Sequence, residues 1–222
     1  MKVTSVPRNS PIPAATVERL SAYRRWLTEV QKQNRPRVFS HEISGVVHVT
    51  AAQVRRDLMQ IGFGGSPAHG YEVSGLVSRI GRMLDPHTDE GVILVGIGQL
   101  GRVLLKYLTT RRPAARFVAA FDIDPSKSSG VLLGIPCHPM NQLERVVRER
   151  SVRVAVLTVP AEAAQDLALR LAACEVRGIL NFAPVRLRVP DGVFVHNVDI
   201  ASLLETTAFF ARREAEPMEM MT

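Results

Sequence analysis

Three glycines spaced Gly96-x-Gly98-x-x-Gly101 follow an apolar run, Val92-Ile93-Leu94-Val95, and precede a segment of helical spacing that begins at Arg102. Residues of this kind suit one piece of chemistry, the binding of a diphosphate by main-chain N–H groups. Gly96 permits a tight turn from strand to helix, Gly98 lets a diphosphate approach the backbone, and Gly101 lets the helix pack closely on a sheet. The N–H groups and partial positive charge at the helix start then receive the phosphates. Ile97, Gln99 and Leu100 complete the loop. A second strand-like run, Arg116 to Phe121, ends at Asp122, where a ribose-binding carboxylate is expected. A glycine turn that served packing alone would not call for an acid at the end of the next strand. The order therefore points to a dinucleotide, with NAD(H) preferred over NADP(H). Asp122 can accept both ribose hydroxyls but would repel a 2′-phosphate, and Arg116 lies at the far end of the strand.

The elements that position these residues alternate. After the turn Asp124-Pro125-Ser126-Lys127 come a short strand at Ile135-Pro136-Cys137, a helix over Asn141 to Arg150, and a buried strand over Val152 to Val159 that stops at Pro160. An alanine-rich helix over Ala161 to Cys174, strands at Gly178 to Phe182 and Val193 to Asn197, and a helix over Ile200 to Arg213 complete the series. Strands alternating with helices predict an α/β domain, a Rossmann-like parallel sheet wound on both faces. Ligands of such sheets lie beyond the carboxyl ends of the strands, which places Gly96, Asp122, Pro160 and Asn181 around one crevice.

The first 86 residues are patterned differently. Met1 to Ser10 is short, polar and without periodicity, and is expected to be disordered. Val17, Leu20, Tyr23 or Arg24, and Leu27 recur at helical spacing from Pro13 to about Gln33, and Asn34-Arg35-Pro36 ends that helix. Ser40 is placed to cap a short second helix, His41 to Ser44, with Gly45 as its stop. Thr50 is placed to cap a third, Ala51 to Gln60. In the third, Ala51, Val54 and Leu58 can face inward while Gln53, Arg55 and Arg56 face solvent. Two short helices joined by a glycine-containing turn, with donors on the second, make a helix-turn-helix arrangement. The turn-rich stretch Gly62 to Tyr71 suits a β-hairpin wing, and Val73, Leu76, Val77, Ile80 and Leu84 mark a further amphipathic helix. A boundary is expected at Asp85-Pro86-His87-Thr88-Asp89, dividing the chain into residues 1–86 and 87–222.

Composition narrows the function classes. Of the net charge of +7, the first 86 residues carry +6, with twelve Lys and Arg against six Asp and Glu. The remainder is nearly neutral, so a polyanion is the expected partner of the N-terminal part. No run is long and apolar enough to span a membrane. Pro7, Asn9, Pro11 and Pro13 interrupt any leader-like segment. Cys137 and Cys174 lack metal-ligand spacing and read as reduced thiols of a cytoplasmic protein. The six histidines are scattered, and no nucleophile has a nearby partner, so neither a catalytic residue nor a metal site is nominated. The competing reading is a nucleotide- or coenzyme A-binding enzyme with a helical dimerisation domain.

Several strings together resemble one family, the Rex redox-sensing transcriptional repressors of bacteria. They are Ile12-Pro13-Ala14-Ala15-Thr16-Val17-x-Arg19-Leu20, Val49-Thr50-Ala51-Ala52-Gln53-Val54-Arg55-Arg56-Asp57-Leu58, the Gly96 to Gly101 loop and Phe121-Asp122-Ile123-Asp124-Pro125. Thr158-Val159-Pro160-Ala161-Glu162-Ala163-Ala164-Gln165, Gly178-Ile179-Leu180-Asn181-Phe182-Ala183-Pro184-Val185 and Asn197-Val198-Asp199 continue the match, which spans residues 11–212 in register. The resemblance implies a homodimer with winged-helix DNA-binding domains, Rossmann-like sensor domains and a C-terminal helix exchanged between subunits, here residues 200–213. It implies binding of double-stranded operator DNA when NADH is scarce and release when it is abundant. Thr50, Gln53, Arg55 and Arg56 would then contact DNA, and Thr158 would join the NAD(H) contacts. Arg25, Tyr107 and Asp199 occupy the family's switch positions. The family's wing usually carries a basic pair, where this chain has Ser66-Pro67-Ala68-His69-Gly70-Tyr71. Arg56 and Met59 replace the lysine and serine common in the recognition helix.

Overall fold

The structure, a computed structural model, describes residues 12–66, 69–85 and 90–213. The expected disorder of Met1 to Ser10 and most of the predicted boundary fall outside these residues. The chain forms two compact units, Met1–Asp85 and Pro86–Thr222.

In the first unit α1 (Ala14–Lys32) turns Thr16, Leu20, Tyr23, Leu27 and Val30 inward at steps of three and four residues. It ends where Asn34 takes φ 58°, a left-handed turn that asparagine tolerates. β1 (Arg37–Val38), α2 (Ser40–Ser44), α3 (Ala51–Gln60), β2 (Tyr71–Glu72) and α4 (Val73–Leu84) follow. Ile43, Val54, Leu58, Leu76 and Ile80 close one core with the α1 residues.

Three local expectations change. The N-cap of α2 is Phe39, whose N–H is accepted by Glu42, while Ser40 is already helical and its hydroxyl accepts from Arg55. On α3 the third buried residue is Asp57, with Ala51 only half-buried. The wing is not an independent hairpin. Ser66 and Gly70 form an isolated bridge, and Tyr71–Glu72 pairs antiparallel with Arg37–Val38. The reason is packing: Tyr71 is buried in the core, its ring lies against Gly65, and its strand finds its partner beside that core.

The second unit runs β3 (Gly91–Val95), α5 (Gln99–Arg111), β4 (Phe117–Asp122), β5 (Val131–Leu132), β6 (Ile135–Pro139), a 3₁₀ turn at Met140–Gln142, α6 (Leu143–Glu149), β7 (Val152–Leu157), α7 (Ala161–Ala173), β8 (Gly178–Asn181), β9 (Phe194–Asn197) and α8 (Ile200–Arg213). The sheet order is β5-β6-β4-β3-β7-β8-β9, with every pairing parallel except β5 with β6. Successive residues of β3 serve opposite faces. Ile93 and Val95 pack with α6 and α7, while Val92 and Leu94 pack with Leu105 of α5. This is a Rossmann-like doubly wound sheet, and its strand order reverses between β3 and β7. The described side chains of α8 stand apart from the packing on either face of the sheet; Ile200, Leu203, Leu204 and Phe210 are 56–69% exposed.

Candidate functional site

At the reversal point the three glycines do different things. Gly96 has φ +97°, and a Cβ there would lie 2.5 Å from the Thr158 carbonyl oxygen. Only glycine fits that turn. A Cβ on Gly101 would fall on the Gly96 carbonyl oxygen, so its absence sets how closely α5 meets β3. Gly98 has ordinary extended angles, and nothing lies within 4 Å of a Cβ built on it. The protein does not use that space. It opens onto the start of α5, whose N-cap, Gly98, supplies no side-chain acceptor. A diphosphate fits the cradle, because the helix's first N–H groups face it without a side-chain competitor.

The loop is held from two sides. Thr158, just past β7, donates its hydroxyl to the Gly96 carbonyl at 2.7 Å. Asp122, at the end of β4, accepts the Ile97 N–H at 2.7 Å and, through its other oxygen, the Asp124 N–H at 2.9 Å. Each carboxylate oxygen keeps acceptor capacity for a sugar hydroxyl. Asp122 thus both positions the glycine loop and lines the crevice, which measures about 870 Å³.

Gly96, Gly98, Leu100, Asp122, Thr158 and Pro160 come together in its lining. Ile97 is buried beneath the loop, and Gln99 is exposed. Asn181 is not brought to the crevice. It is fully buried, and its amide donates to Val185 and Ala183 carbonyls and to the Asn197 side chain while accepting the Ala183 N–H. Its work is to shape the loop that presents Phe182 and Pro184 to the lining. Sequence reasoning missed Ile123, Met140, Leu167 and Phe182, the apolar wall, and Lys127 and Arg170. Lys127 supplies a cation that Arg116 does not, but Asp124 holds it at 3.0 Å. Hydrogen bonds from Ser126 and Lys127 in turn hold the Asp124 carboxyl at about 2. Arg170 pairs with Glu144 at 2.7 Å and ties α7 to α6.

On the first unit Thr50 caps α3, its hydroxyl oxygen accepting the Gln53 N–H at 3.1 Å. Gln53 donates its side-chain amide to Asp57 at 2.9 Å, and Arg55 donates to the Ser40 hydroxyl at 3.1 Å. Arg55 and Arg56 are exposed. Beneath them Asp57 is fully buried and gathers hydrogen bonds from Thr16, Arg19, Tyr23 and Gln53, a network not foreseen from spacing. The three switch positions lie on separate elements. Arg25 is exposed on α1. Tyr107 is exposed on α5, with the Arg111 guanidinium 6.0 Å from its ring centre. Asp199 caps α8, accepting the Ser202 N–H at 3.0 Å.

A winged helix-turn-helix unit and a Rossmann-like unit with a glycine-lined crevice define a DNA- and dinucleotide-binding class of protein. Residues 11–58 match a family described as a putative DNA-binding protein N-terminus, and residues 87–185 match a CoA binding domain. The chain belongs to the Rex family. It is 40% identical over 199 residues to the redox-sensing transcriptional repressor Rex of Listeria welshimeri, covering 90% of this chain and 93% of that one. It is 39% identical over 203 residues to Rex of Bacillus subtilis, covering 91% and 94%. Among solved structures, RSP in complex with β-NAD⁺ and operator DNA superposes with TM-score 0.83 at 28% identity, over 93% of this chain and 95% of that one. RSP with β-NADH gives 0.80 at 29%, over 93% and 97%. Relatives named as repressors match nearly the whole chain, so the coenzyme A-binding enzyme is not favoured.

Proposed function

We propose that this chain is a redox-sensing repressor that binds operator DNA when NADH is low relative to NAD⁺ and leaves it when NADH is abundant. The observation that carries the reading is the open cradle at Gly98, in a chain of family-wide likeness to Rex repressors. Residues 1–86 serve as the DNA-binding domain and residues 87–222 as the NAD(H)-binding domain, at work in the cytoplasm, where operators lie. Gly98 and the start of α5 hold the diphosphate, Asp122 the adjacent ribose, and Ile123, Met140 and Leu167 an apolar ring. Arg55 and Arg56 meet the DNA directly. Thr50 and Gln53 contact it from positions that Thr50's cap and the Gln53–Asp57 bond hold in place. The exposed apolar residues of α8 support a homodimer in which that helix packs on the partner subunit. The test is retardation of genomic fragments in a gel-shift assay at several salt concentrations, with and without NADH. Failure to retard any fragment would return the enzyme reading to first place.

Two further outcomes are expected. In calorimetric titration NADH should bind more tightly than NADPH, because the Asp122 carboxylate opposes a 2′-phosphate and the nearby Lys127 charge is engaged by Asp124. Equal affinities would remove Asp122 from ribose recognition. The switch is assigned to Asp199, exchanging between Tyr107 and Arg25 as the domains change arrangement. A ligand shifts such an equilibrium only through differential affinity, at a typical coupling of about 1–3 kcal/mol. Asp199→Ala should therefore keep NADH binding and flatten its effect on operator affinity. If that variant releases DNA at the wild-type NADH concentration, the cap on α8 is the whole of its role.

A further inference from the structure

The stretch Gly62 to Tyr71 contains no lysine or arginine, although a wing ordinarily reaches the phosphate backbone. We infer that Arg37, on β1, supplies the wing's phosphate-binding cation from outside the wing. The inference rests on the operator-binding reading above.

Its guanidinium donates to the carbonyl oxygen of His69 at 2.8 Å, so the charge is delivered to the Ser66–Gly70 turn by a side chain from another strand. The turn is held against that strand. Gly70 has φ +64°, and a Cβ on it would lie 2.5 Å from the Val38 carbonyl oxygen, so the wing backbone rests on β1. The acceptor is neutral, and the charge of Arg37 is not cancelled by it. Of the other cations near this surface, Arg35 pairs with Glu42 at 2.6 Å, and Arg79 of α4 donates to the Ile61 carbonyl at the base of the stretch rather than to its turn. The acid opposite Arg37 in the ladder is Glu72; its carboxylate feels the Arg37 charge, but its hydrogen bonds go to Ser74 and Gly75 at the start of α4, and these lower its pKa more than Arg37 does. Arg37 therefore keeps donors for a phosphate oxygen, and a guanidinium matches that geometry well.

The surface around it is continuous. Arg55 of α3 reaches Ser40, three residues past Arg37, and Arg37 reaches His69. The β1–α2 junction thus bridges the recognition helix and the wing, and both bridging bonds are made by arginines to neutral acceptors. A duplex that seats α3 in its major groove meets this junction on the way to the wing. Contacts to phosphate release counterions, which gives the assignment a measurable signature.

The experiment measures operator affinity of the full chain by fluorescence anisotropy from 50 to 200 mM salt, with a retained genomic fragment as probe. Arg37→Gln removes one cation from each subunit of the dimer, so it should lower the steepness of the log–log salt dependence by about 1.8 and weaken binding alike on different fragments. Over that fourfold rise in salt, the variant should lose about 12-fold less affinity than wild type. Arg37→Lys should keep the wild-type slope, and adding His69→Lys to Arg37→Gln should restore it. An unchanged slope in a folded Arg37→Gln protein overturns the inference. So does an equal fall in Arg37→Lys, which would mean that the residue acts by holding the wing rather than by its charge. Wild-type protein that retards no fragment fails the operator reading itself, and this inference with it.

Discussion

Replacing Asp57 with alanine is expected to destabilise the N-terminal unit by about 3–5 kcal/mol, the usual result of removing one partner of a buried ion pair. The side chain has no solvent exposure, while that of Arg19 is 21% exposed. Arg19 grips both carboxylate oxygens at 2.7 Å, Tyr23 donates at 2.9 Å, and the Gln53 amide donates at 2.9 Å. Arg19 and Tyr23 belong to α1, and Gln53 to α3, so one carboxylate joins the two helices. Alanine would leave a buried hydroxyl and a half-buried guanidinium without their acceptor. Trp26 is the only tryptophan and packs on the core of this unit, so its fluorescence follows this transition rather than that of the sheet. Urea titration should show the Trp26 midpoint falling sharply in Asp57→Ala and less in Asp57→Asn, which keeps one acceptor. A wild-type midpoint in the alanine variant would contradict the account.

The same network sets an acid limit. Burial pushes the Asp57 carboxyl up, but the hydrogen bonds from Arg19, Gln53 and Tyr23 outweigh it and leave the group below the usual carboxylate range. The unfolded chain then takes up the proton more readily than the folded one. The contribution is complete above the ordinary carboxylate range and disappears as the pH falls through the lowered folded value. Asp57→Asn should flatten that part of the acid-stability curve.

What the sequence displays and what it conceals divides along local and tertiary lines. The glycine loop, the strand before it and Asp122 at the end of the next strand follow from residue spacing; the structure sets the loop at the reversal between β3 and β7 and Asp122 at the end of the adjacent β4. The parallel sheet follows because each helix lies between two apolar runs. A strand's carboxyl end predicts where Asn181 stands, not which way it turns; its amide turns inward to the 183–185 loop. Arg170 and Lys127 enter the crevice through the packing of α7 on α6 and the path of the chain after β4, neither of which leaves a periodic trace. Asp57 sits at an inward helical position, where a charged residue is predicted to be exposed. Only the arrival of Arg19 and Tyr23 from α1 makes its burial tolerable. The short β5 escaped notice because two residues carry no alternation.

Gly98→Val is expected to abolish the response to NADH while leaving the sheet folded. The two neighbouring glycines cannot separate these effects. A side chain on Gly96 strikes the Thr158 backbone, and one on Gly101 strikes the Gly96 carbonyl, so both substitutions damage the fold along with the site. Gly98 has φ −73° and ψ −173°, which any residue adopts, and its Cβ would meet no protein atom within 4 Å. Valine therefore fits the protein and fills the space assigned to the diphosphate. Hydrogen bonds to a charged group contribute about 1.5–3 kcal/mol each, so losing two of them weakens NADH by about a hundredfold or more. Thermal unfolding should match wild type, operator affinity without NADH should be kept, and NADH should no longer release the DNA. Wild-type NADH affinity in this variant would mean that the phosphates lie elsewhere. Loss of folding would mean that the space is needed by the protein, and the division of labour among the three glycines would be wrong.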